Sequence, residues 1–513
     1  VEKKHEMWEL NQLQSLPLNA KIQKTKDNIQ NWVNAFGKEA VYVSFSGGKD
    51  STVLLDIARE IYPQIPAIFV DTGLEFPQIR NFVKMFDNVE ILKPQMNFEQ
   101  VIRKYGYPFI SKEVSECVYG AKKYLTSIIE SGILDQTDRQ TDRQTDRQTD
   151  SLSNDFILKQ STQNNIICIN TKFPTYLEQC NSAALSKMSP GGYDNKWRKI
   201  NGLGEYLNKK MLNREGGANQ RLAILTGMLT KDKNHPVAEN VPRKDRSIFS
   251  MEHYQFLLDA PFYISNKCCD VMKKYPAHMY NRTKKRVPIT GQMACESRLR
   301  TQKWLQNGCN AFDAKNPISN PMAFWTEQDV LLYIYLYGKD MVNRRISHIE
   351  IENGCDIEEV INPITNTNYE REDFTPICSV YGNVVKDFHK EGQVEQQISL
   401  SDYGIFDNER PLLKTTGCSR TGCTFCGFGC HIKKDDRFML LRNTNPKVYD
   451  YVMRGGTFNK AGCWEPKQGL GYWFVIEWLK VHGNLNIIAP EIENYVERYS
   501  TKDTKKYLRG ENI

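Results

Sequence analysis

The chain contains no run of about 18 uncharged apolar residues, the length a helix needs to cross a bilayer, and the apolar segment that opens at Gly471 is interrupted by Glu477. No membrane contact is therefore expected. The opening residues, Val1 to Glu9, are largely charged and lack the apolar stretch of a secretion signal, which points to a cytoplasmic protein. Strong charge of one sign is also missing. Against 61 acidic side chains stand 68 basic ones, and the net +7 permits a nucleotide or nucleic-acid partner without requiring one. Residues Gln136 to Asp150 hold no apolar side chain; this Gln-Thr-Asp-Arg repeat cannot bury surface and is expected to be a disordered surface loop. Continuous reading of the tetranucleotide CAGA encodes the repeat, so slippage by one unit would shift the frame. The corresponding hypothesis is a gene that switches off and on, which mixed synonymous codons in the repeat would rule out.

Cysteine, by contrast, is plentiful, with 14 residues. In a reducing compartment these read as metal ligands, catalytic thiols and core fillers rather than disulfides. A length of 513 residues implies about two to four domains. Residues 1–39 carry Leu10, Leu13, Leu16, Ile22, Ile29, Trp32 and Val33 at helical spacing. From Val41 onward, strands at 41–45, 67–71 and 89–93 alternate with helices at 51–62, 76–86 and 97–105. That alternation predicts an α/β fold with a doubly wound parallel sheet and a ligand at the strand carboxyl ends. The sheet pattern resumes at Val287 to Thr290, and a helix is expected from Trp325 to Tyr337. The reading divides the chain into a helical segment 1–39, a nucleotide domain at 40–130 and 261–340, an insertion at 131–260, and a C-terminal region 341–513. Helices are expected there at Arg437–Met453 and Tyr472–Val481.

The most informative segment is Val41-Tyr-Val-Ser-Phe-Ser46-Gly47-Gly48-Lys49-Asp50-Ser51-Thr52, where a buried strand breaks into a glycine pair before a helical pattern. Glycine lets backbone amides approach a ligand closely, the unpaired amides of a helix start favour an anion, and Lys49 adds a point charge. Four further features are candidates. Asp71 and Glu75 follow the second strand, where they would touch ribose or Mg2+, or simply cap the next helix. Thr290 and Gly291 end a later strand, and Arg298 would clamp a phosphate. Cys418-x4-Cys423-x2-Cys426-x3-Cys430 sets four thiols in a glycine-rich stretch, a donor set for an iron-sulfur cluster or zinc. Arg282 to Arg286 and Lys196 to Lys199 suit a phosphate backbone or a solvated face. His431 is left unassigned. Cys117, Cys168, Cys180, Cys295, Cys309, Cys355, Cys378 and Cys463 stand alone, as small core residues usually do.

Ser46-Gly-Gly-Lys-Asp-Ser51 resembles the pyrophosphate loop of the N-type ATP pyrophosphatases, which split ATP between its α and β phosphates. Asp71-Thr-Gly-Leu-Glu75-Phe-Pro, Cys268-Cys269 before Lys273-Lys-Tyr-Pro276, Thr290-Gly291 with Ser297-Arg298, and Asn320-Pro-Met-Ala-Phe-Trp325 look like the phosphoadenosine phosphosulfate (PAPS) reductase branch. The likeness spans residues 40–120 and 260–340, with a further match near Arg420 to Cys426. It implies an adenine nucleotide α-hydrolase-like fold. ATP and Mg2+ would be held by Ser46, Gly47, Gly48, Lys49, Asp50, Ser51, Asp71, Glu75 and Gly291, with Lys49, Asp50 and Arg298 in catalysis. The vicinal cysteines resemble those of adenylylsulfate reductases, in which such a pair and a distant Cys-x-x-Cys share one cluster. The ligands of a [4Fe-4S] cluster would then be Cys268, Cys269, Cys423 and Cys426, with zinc as the alternative occupant and Cys418 and Cys430 as alternates or sulfur carriers.

PAPS reductases have a degenerate phosphate loop and a nucleophilic cysteine in a C-terminal tail. Here the loop is intact and no thiol follows Cys463. The expectation is an enzyme that adenylates an acceptor, releases pyrophosphate and passes sulfur to it. A cysteine desulfurase would be the sulfur donor and DNA or tRNA the acceptor, by similarity to the ATP pyrophosphatases of DNA phosphorothioation. Sulfonucleotide reduction and a non-catalytic nucleotide or nucleic-acid binding regulator are the alternatives.

Overall fold

The computed structural model describes residues 4–131, 251–387, 412–432 and 436–509. The Gln-Thr-Asp-Arg repeat, the Lys196 to Lys199 cluster, Cys168, Cys180 and most of the expected insertion lie outside the described residues. By packing, the chain separates into two compact units, Val1–Gln95 with Val271–Cys423, and Met96–Asp270 with Thr424–Ile513. Packing thus assigns the residues from Met96 onward to the second unit, whereas the alternation pattern groups them with the nucleotide domain.

In the first unit a six-stranded sheet is built from β1 (Val41–Ser44), β2 (Ala67–Val70), β3 (Val89–Leu92), β4 (Val287–Thr290), β5 (Asn310–Ala311) and β6 (Ile318–Ser319). Their order across the sheet is β3-β2-β1-β4-β6-β5, parallel throughout except for the β5–β6 pair at one edge. The chain winds outward from β1 to β3, then returns to place β4 on the other side of β1, with Val41 beside Val287 and Ser44 beside Thr290. The order reverses between β1 and β4, and in open parallel sheets a ligand binds at the strand carboxyl ends beside such a reversal. Val41, Val43, Ala67, Ile68 and Ile289 are buried, as strands covered on both faces require.

Helices α1 (Met7–Gln14) and α2 (Leu18–Phe36) open the unit. Leu18, Ile29, Trp32 and Val33 are buried on α2 as their spacing implies, but the same stripe also buries Lys21 and Thr25. Partners distant in sequence explain both. Lys21 Nζ donates to Asp329 Oδ2 at 2.7 Å with both side chains fully buried, and Trp325 Nε1 donates to Thr25 Oγ1 at 2.9 Å. Asp329 also closes a capping box with Thr326.

The helix expected from Trp325 to Tyr337 runs instead from Glu327 to Asn353. It continues because residues beyond Tyr337 find tertiary partners. The Arg344 guanidinium donates twice to Asp56, at 3.0 and 2.6 Å, and Tyr333 donates to the same carboxylate at 2.7 Å. The helix stops at Gly354, in the left-handed region at φ +68°.

The second unit is organised around helix Tyr472–Gly483, in which Tyr472 to Ile476, Trp478 and Leu479 are all buried. A helix apolar on every side belongs in a core. Phe109–Ile110 pairs in parallel with Gly427–Phe428, anchoring the cysteine loop. The single helix expected from Arg437 to Met453 is two, Arg437–Thr444 and Pro446–Met453. Pro446 has no N–H to continue the first helix but suits the first turn of the next. Among the described residues no helix is long and apolar enough to cross a membrane.

Replacing Lys21 by Met strands the Asp329 carboxylate in the core. Urea unfolding followed by tryptophan fluorescence should show a loss of about 3–5 kcal/mol.

Candidate functional site

The segment from Phe45 to Asp50 links β1 to helix α3 (Lys49–Ile61). Gly47 lies at φ +69°, and a Cβ on it would stand 2.9 Å from both Ile79 Cγ2 and Val83 Cγ2. Only glycine meets both constraints. Gly48 is the residue before the helix, and its carbonyl accepts from Ser51 Oγ at 2.9 Å and Thr52 Oγ1 at 3.0 Å. The Ser46 N–H donates to Ser51 Oγ at 3.2 Å, and the two serine hydroxyls are 2.9 Å apart. The serines thereby tie the loop to itself, while the first amides of α3 have no intrahelical acceptors.

Lys49 is 3 % exposed, so it does not lie on an exposed loop as its flanking glycines suggest. Its ammonium stands 3.0 Å from Glu327 Oε1 and 3.5 Å from Asp50 Oδ1, and donates to the Ser419 carbonyl at 3.2 Å. The Lys49 backbone N–H donates to the Tyr381 hydroxyl at 3.3 Å, and that hydroxyl is 2.5 Å from Thr421 Oγ1. Residues 381 and 419–421 therefore lie directly on the loop. Burial raises the Asp50 carboxyl pKa; Lys49 opposes the shift and Glu327 adds to it. Asp50 Oδ1 is buried and accepts no hydrogen bond.

The loop after β4 meets the same place. A Cβ on Gly291 would come within 3.2 Å of the Asp50 carbonyl oxygen, so glycine allows the two loops to touch. Arg298 is exposed at the first position of helix Arg298–Asn307. Arg300, two positions later, is ion-paired with Glu296. Burial lowers its pKa, Asp50 raises it, and Arg420 lowers it again. Asp71 and Glu75 are engaged locally. Asp71 accepts from Arg80 at 2.8 Å and from the Gly73 N–H at 3.0 Å, while Glu75 accepts from the Thr72 N–H and hydroxyl and lies 3.6 Å from Lys273 Nζ. Arg420 and Thr421 fall inside the further match near Arg420 to Cys426, and Arg300 left a signal as a second arginine in Ser297-Arg-Leu-Arg, whereas nothing local in the sequence marks Tyr381 or Glu327.

Residues 40–124 match the phosphoadenosine phosphosulfate reductase domain. Over that stretch the chain is similar to the PAPS reductase family. Its α/β architecture with a mainly parallel sheet agrees with the Rossmann-like fold of adenine nucleotide α-hydrolases. Two uncharacterized proteins of Methanocaldococcus jannaschii are similar to it, one 42% identical over 74 residues, the other 37% over 76; each alignment covers 14% of this chain, and 18% and 16% of those proteins respectively. An adenosine 5'-phosphosulfate reductase of Geobacillus kaustophilus is 24% identical over 119 residues, 22% of this chain and 50% of that enzyme. The chain thus spans half or less of the length of these curated relatives. No solved structure matches it.

Outside the loop after β1, the cysteines divide between the units. Cys268, Cys269, Cys426 and Cys430 belong to the second, while Cys418 belongs to the first and Cys423 is its last residue. Burial raises the Cys426 thiol, and Cys269 adds to the shift. The buried Tyr472 hydroxyl is likewise raised, chiefly by burial and then by Cys426 and Cys268, and it donates to the Phe425 carbonyl at 2.8 Å. Among the described residues, no three Cys, His, Asp or Glu side chains are gathered closely enough to hold a metal ion. An all-thiol donor set has the right chemistry for an iron-sulfur cluster. His431 Nε2 lies 3.3 Å from the Tyr254 hydroxyl. Of the solitary cysteines, Cys117, Cys378 and Cys463 are buried as expected and Cys295 is exposed.

Gly47→Ala forces a left-handed alanine against Ile79 and Val83. Chemical denaturation should show a loss of about 1–3 kcal/mol, and titration calorimetry a matching loss of nucleotide binding.

Proposed function

We propose that the loop from Ser46 to Ser51 holds the phosphates of ATP, and that the enzyme adenylates an acceptor, releasing pyrophosphate, for sulfur transfer. The observation that carries this reading is the position of Lys49 and Asp50. A buried ammonium and an unsatisfied buried carboxylate oxygen stand at a helix start, where the strand order of the sheet reverses. The α3 amides accept the anion, and the Lys49 ammonium exchanges Glu327 and the Ser419 carbonyl for phosphate oxygens. Arg298 or Arg300, both on the helix that follows Gly291, adds charge where the leaving pyrophosphate develops it. Asp50, through the oxygen that accepts no hydrogen bond, would hold Mg2+, which neutralises charge on the leaving group when bound. An acceptor oxygen attacks the α phosphorus and pyrophosphate departs. The terminal sulfur of a persulfide, carried by a donor such as a cysteine desulfurase, then displaces AMP from the adenylated acceptor, and an external dithiol reductant breaks the S–S bond that still joins acceptor to donor, leaving the thiolated acceptor, the donor thiol and an oxidised disulfide. DNA and tRNA are the acceptors to test first.

Pyrophosphate release should depend on ATP and rise when the acceptor is supplied. Lys49→Met should lower it by about 100-fold or more while leaving the far-ultraviolet spectrum unchanged. Sulfite formed from PAPS with thioredoxin would instead favour sulfonucleotide reduction, the chemistry named for the Geobacillus kaustophilus relative. Tight ATP binding with neither product would make the protein a regulator.

A [4Fe-4S] cluster on Cys268, Cys269, Cys423 and Cys426 is proposed on donor chemistry, and it would supply a sulfur-rich redox centre. Anaerobically purified protein should contain iron and acid-labile sulfide in equal amounts, both lost in Cys268→Ser and Cys426→Ser. Stoichiometric zinc without sulfide would overturn the assignment.

A further inference from the structure

The residues from Val271 to Thr290 contain six Lys or Arg, one His and no Asp or Glu, so this one segment accounts for almost the whole net charge of +7. All twenty belong to the first unit, and half of them form helix Tyr275–Lys284. Pro276 and Tyr280 are its buried positions. Tyr280 packs with Tyr42 of β1 and Ile68 of β2, so this side of the helix is fixed to the sheet.

The other side faces water. Lys274, His278 and Arg282 recur every four residues and are exposed, followed by Lys284 and Lys285. Tyr275 and Met279 are exposed between them, at 42% and 36%. Arg282, Lys284 and Lys285 form no ion pair among the described residues, although surface cations commonly find a carboxylate. Arg286 instead donates to the Glu39 carbonyl and to the Tyr280 hydroxyl, pinning the end of the segment.

The run also has a direction. A crossover helix lies antiparallel to the strand that follows it, so the Tyr275 end sits toward the carboxyl edge of the sheet. The ion pair of Lys273 with Glu75, just beyond β2, marks that edge. Ten helical residues extend about 15 Å. Cations thus stand at both ends of the helix, Lys274 toward the edge that carries the phosphate loop and Arg282, Lys284 and Lys285 toward the opposite edge.

We propose that the exposed face of helix Tyr275–Lys284, with Lys285, binds the phosphate backbone of a nucleic acid. Unpaired cations on one rigid face complement a ligand with one negative charge per about 1.7 Å of duplex axis, and the exposed Tyr275 offers a ring on which a base can stack. A solvated helix face usually mixes both signs of charge, and this one has a single sign. As the acceptor of the adenylation, the nucleic acid rests on the reading of the site given above; as a ligand of this face, it does not.

The test is fluorescence anisotropy with the full chain, using a labelled DNA duplex and a folded RNA of tRNA size across a series of salt concentrations. Binding is expected to weaken steeply with salt. Arg282→Ala/Lys284→Ala/Lys285→Ala should lower affinity about tenfold or more and reduce the slope of log K against log salt by about 2–3. An equal loss of charge elsewhere, Lys447→Ala/Lys502→Ala/Lys505→Ala, should change little. Whichever of DNA or RNA binds more tightly identifies the source of the backbone. Absence of binding at low salt, or a triple variant that keeps wild-type affinity and slope, overturns the proposal. Pyrophosphate release in the absence of nucleic acid should be the same in the triple variant and the wild type. Loss of that activity with salt-sensitive binding intact would remove the reading of the site alone; activity without binding would remove the surface alone.

Discussion

An ammonium group taken out of water must be answered by oxygen atoms, and at the end of β1 that requirement organises the first unit. Leaving such a charge unpaired in a low-dielectric interior costs several kcal/mol, about 3–5 when one partner of a buried pair is removed. Lys49 meets the requirement with Glu327, Asp50 and the Ser419 carbonyl. Those three partners come from the start of the long helix Glu327–Asn353, from the loop itself, and from the segment before Cys423. One side chain therefore joins stretches separated by hundreds of residues around the point where an anion would bind. An incoming phosphate can replace these oxygens without exposing the charge, because its own oxygens take over the same role.

The same logic recurs at Lys21 and Asp329, where an ion pair with both side chains fully buried attaches the amino-terminal helix to the beginning of that long helix. Asp329 also caps the helix through Thr326, so one carboxylate sets both where the helix begins and what packs against it. Because Glu327 lies in the same first turn, the device that positions the helix also positions the partner of Lys49. Fold and site are coupled through this one helical turn rather than through a separate scaffold.

Electrostatics further divide the molecule into regions of different use. Around the phosphate loop, positive groups are buried and matched by Asp50 and Glu327. On the helix from Tyr275 to Lys284, Arg282 and Lys284 are exposed and form no ion pair among the described residues. Buried matched charge suits a small anion held in one orientation. Exposed charge of one sign suits a long polyanion held by many weak and exchangeable contacts.

The amino-acid pattern by itself determined the alternation of strands and helices from Val41 to Tyr105, the glycine pair and lysine at the first strand end, and the family that this stretch resembles. These are local properties. Hydrophobic period, glycine chemistry and helix starts are written in neighbouring residues, and the observed β1, β2 and β3 fall within the expected spans. The three-dimensional packing decided what depends on distant partners: that Lys21 and Thr25 are core residues, that the helix from Glu327 continues to Asn353, and that Tyr381 and Thr421 lie on the loop after β1. A polar residue is buried or exposed according to the partner it meets, and the identity of that partner is set by chain reversals that no local window of sequence contains.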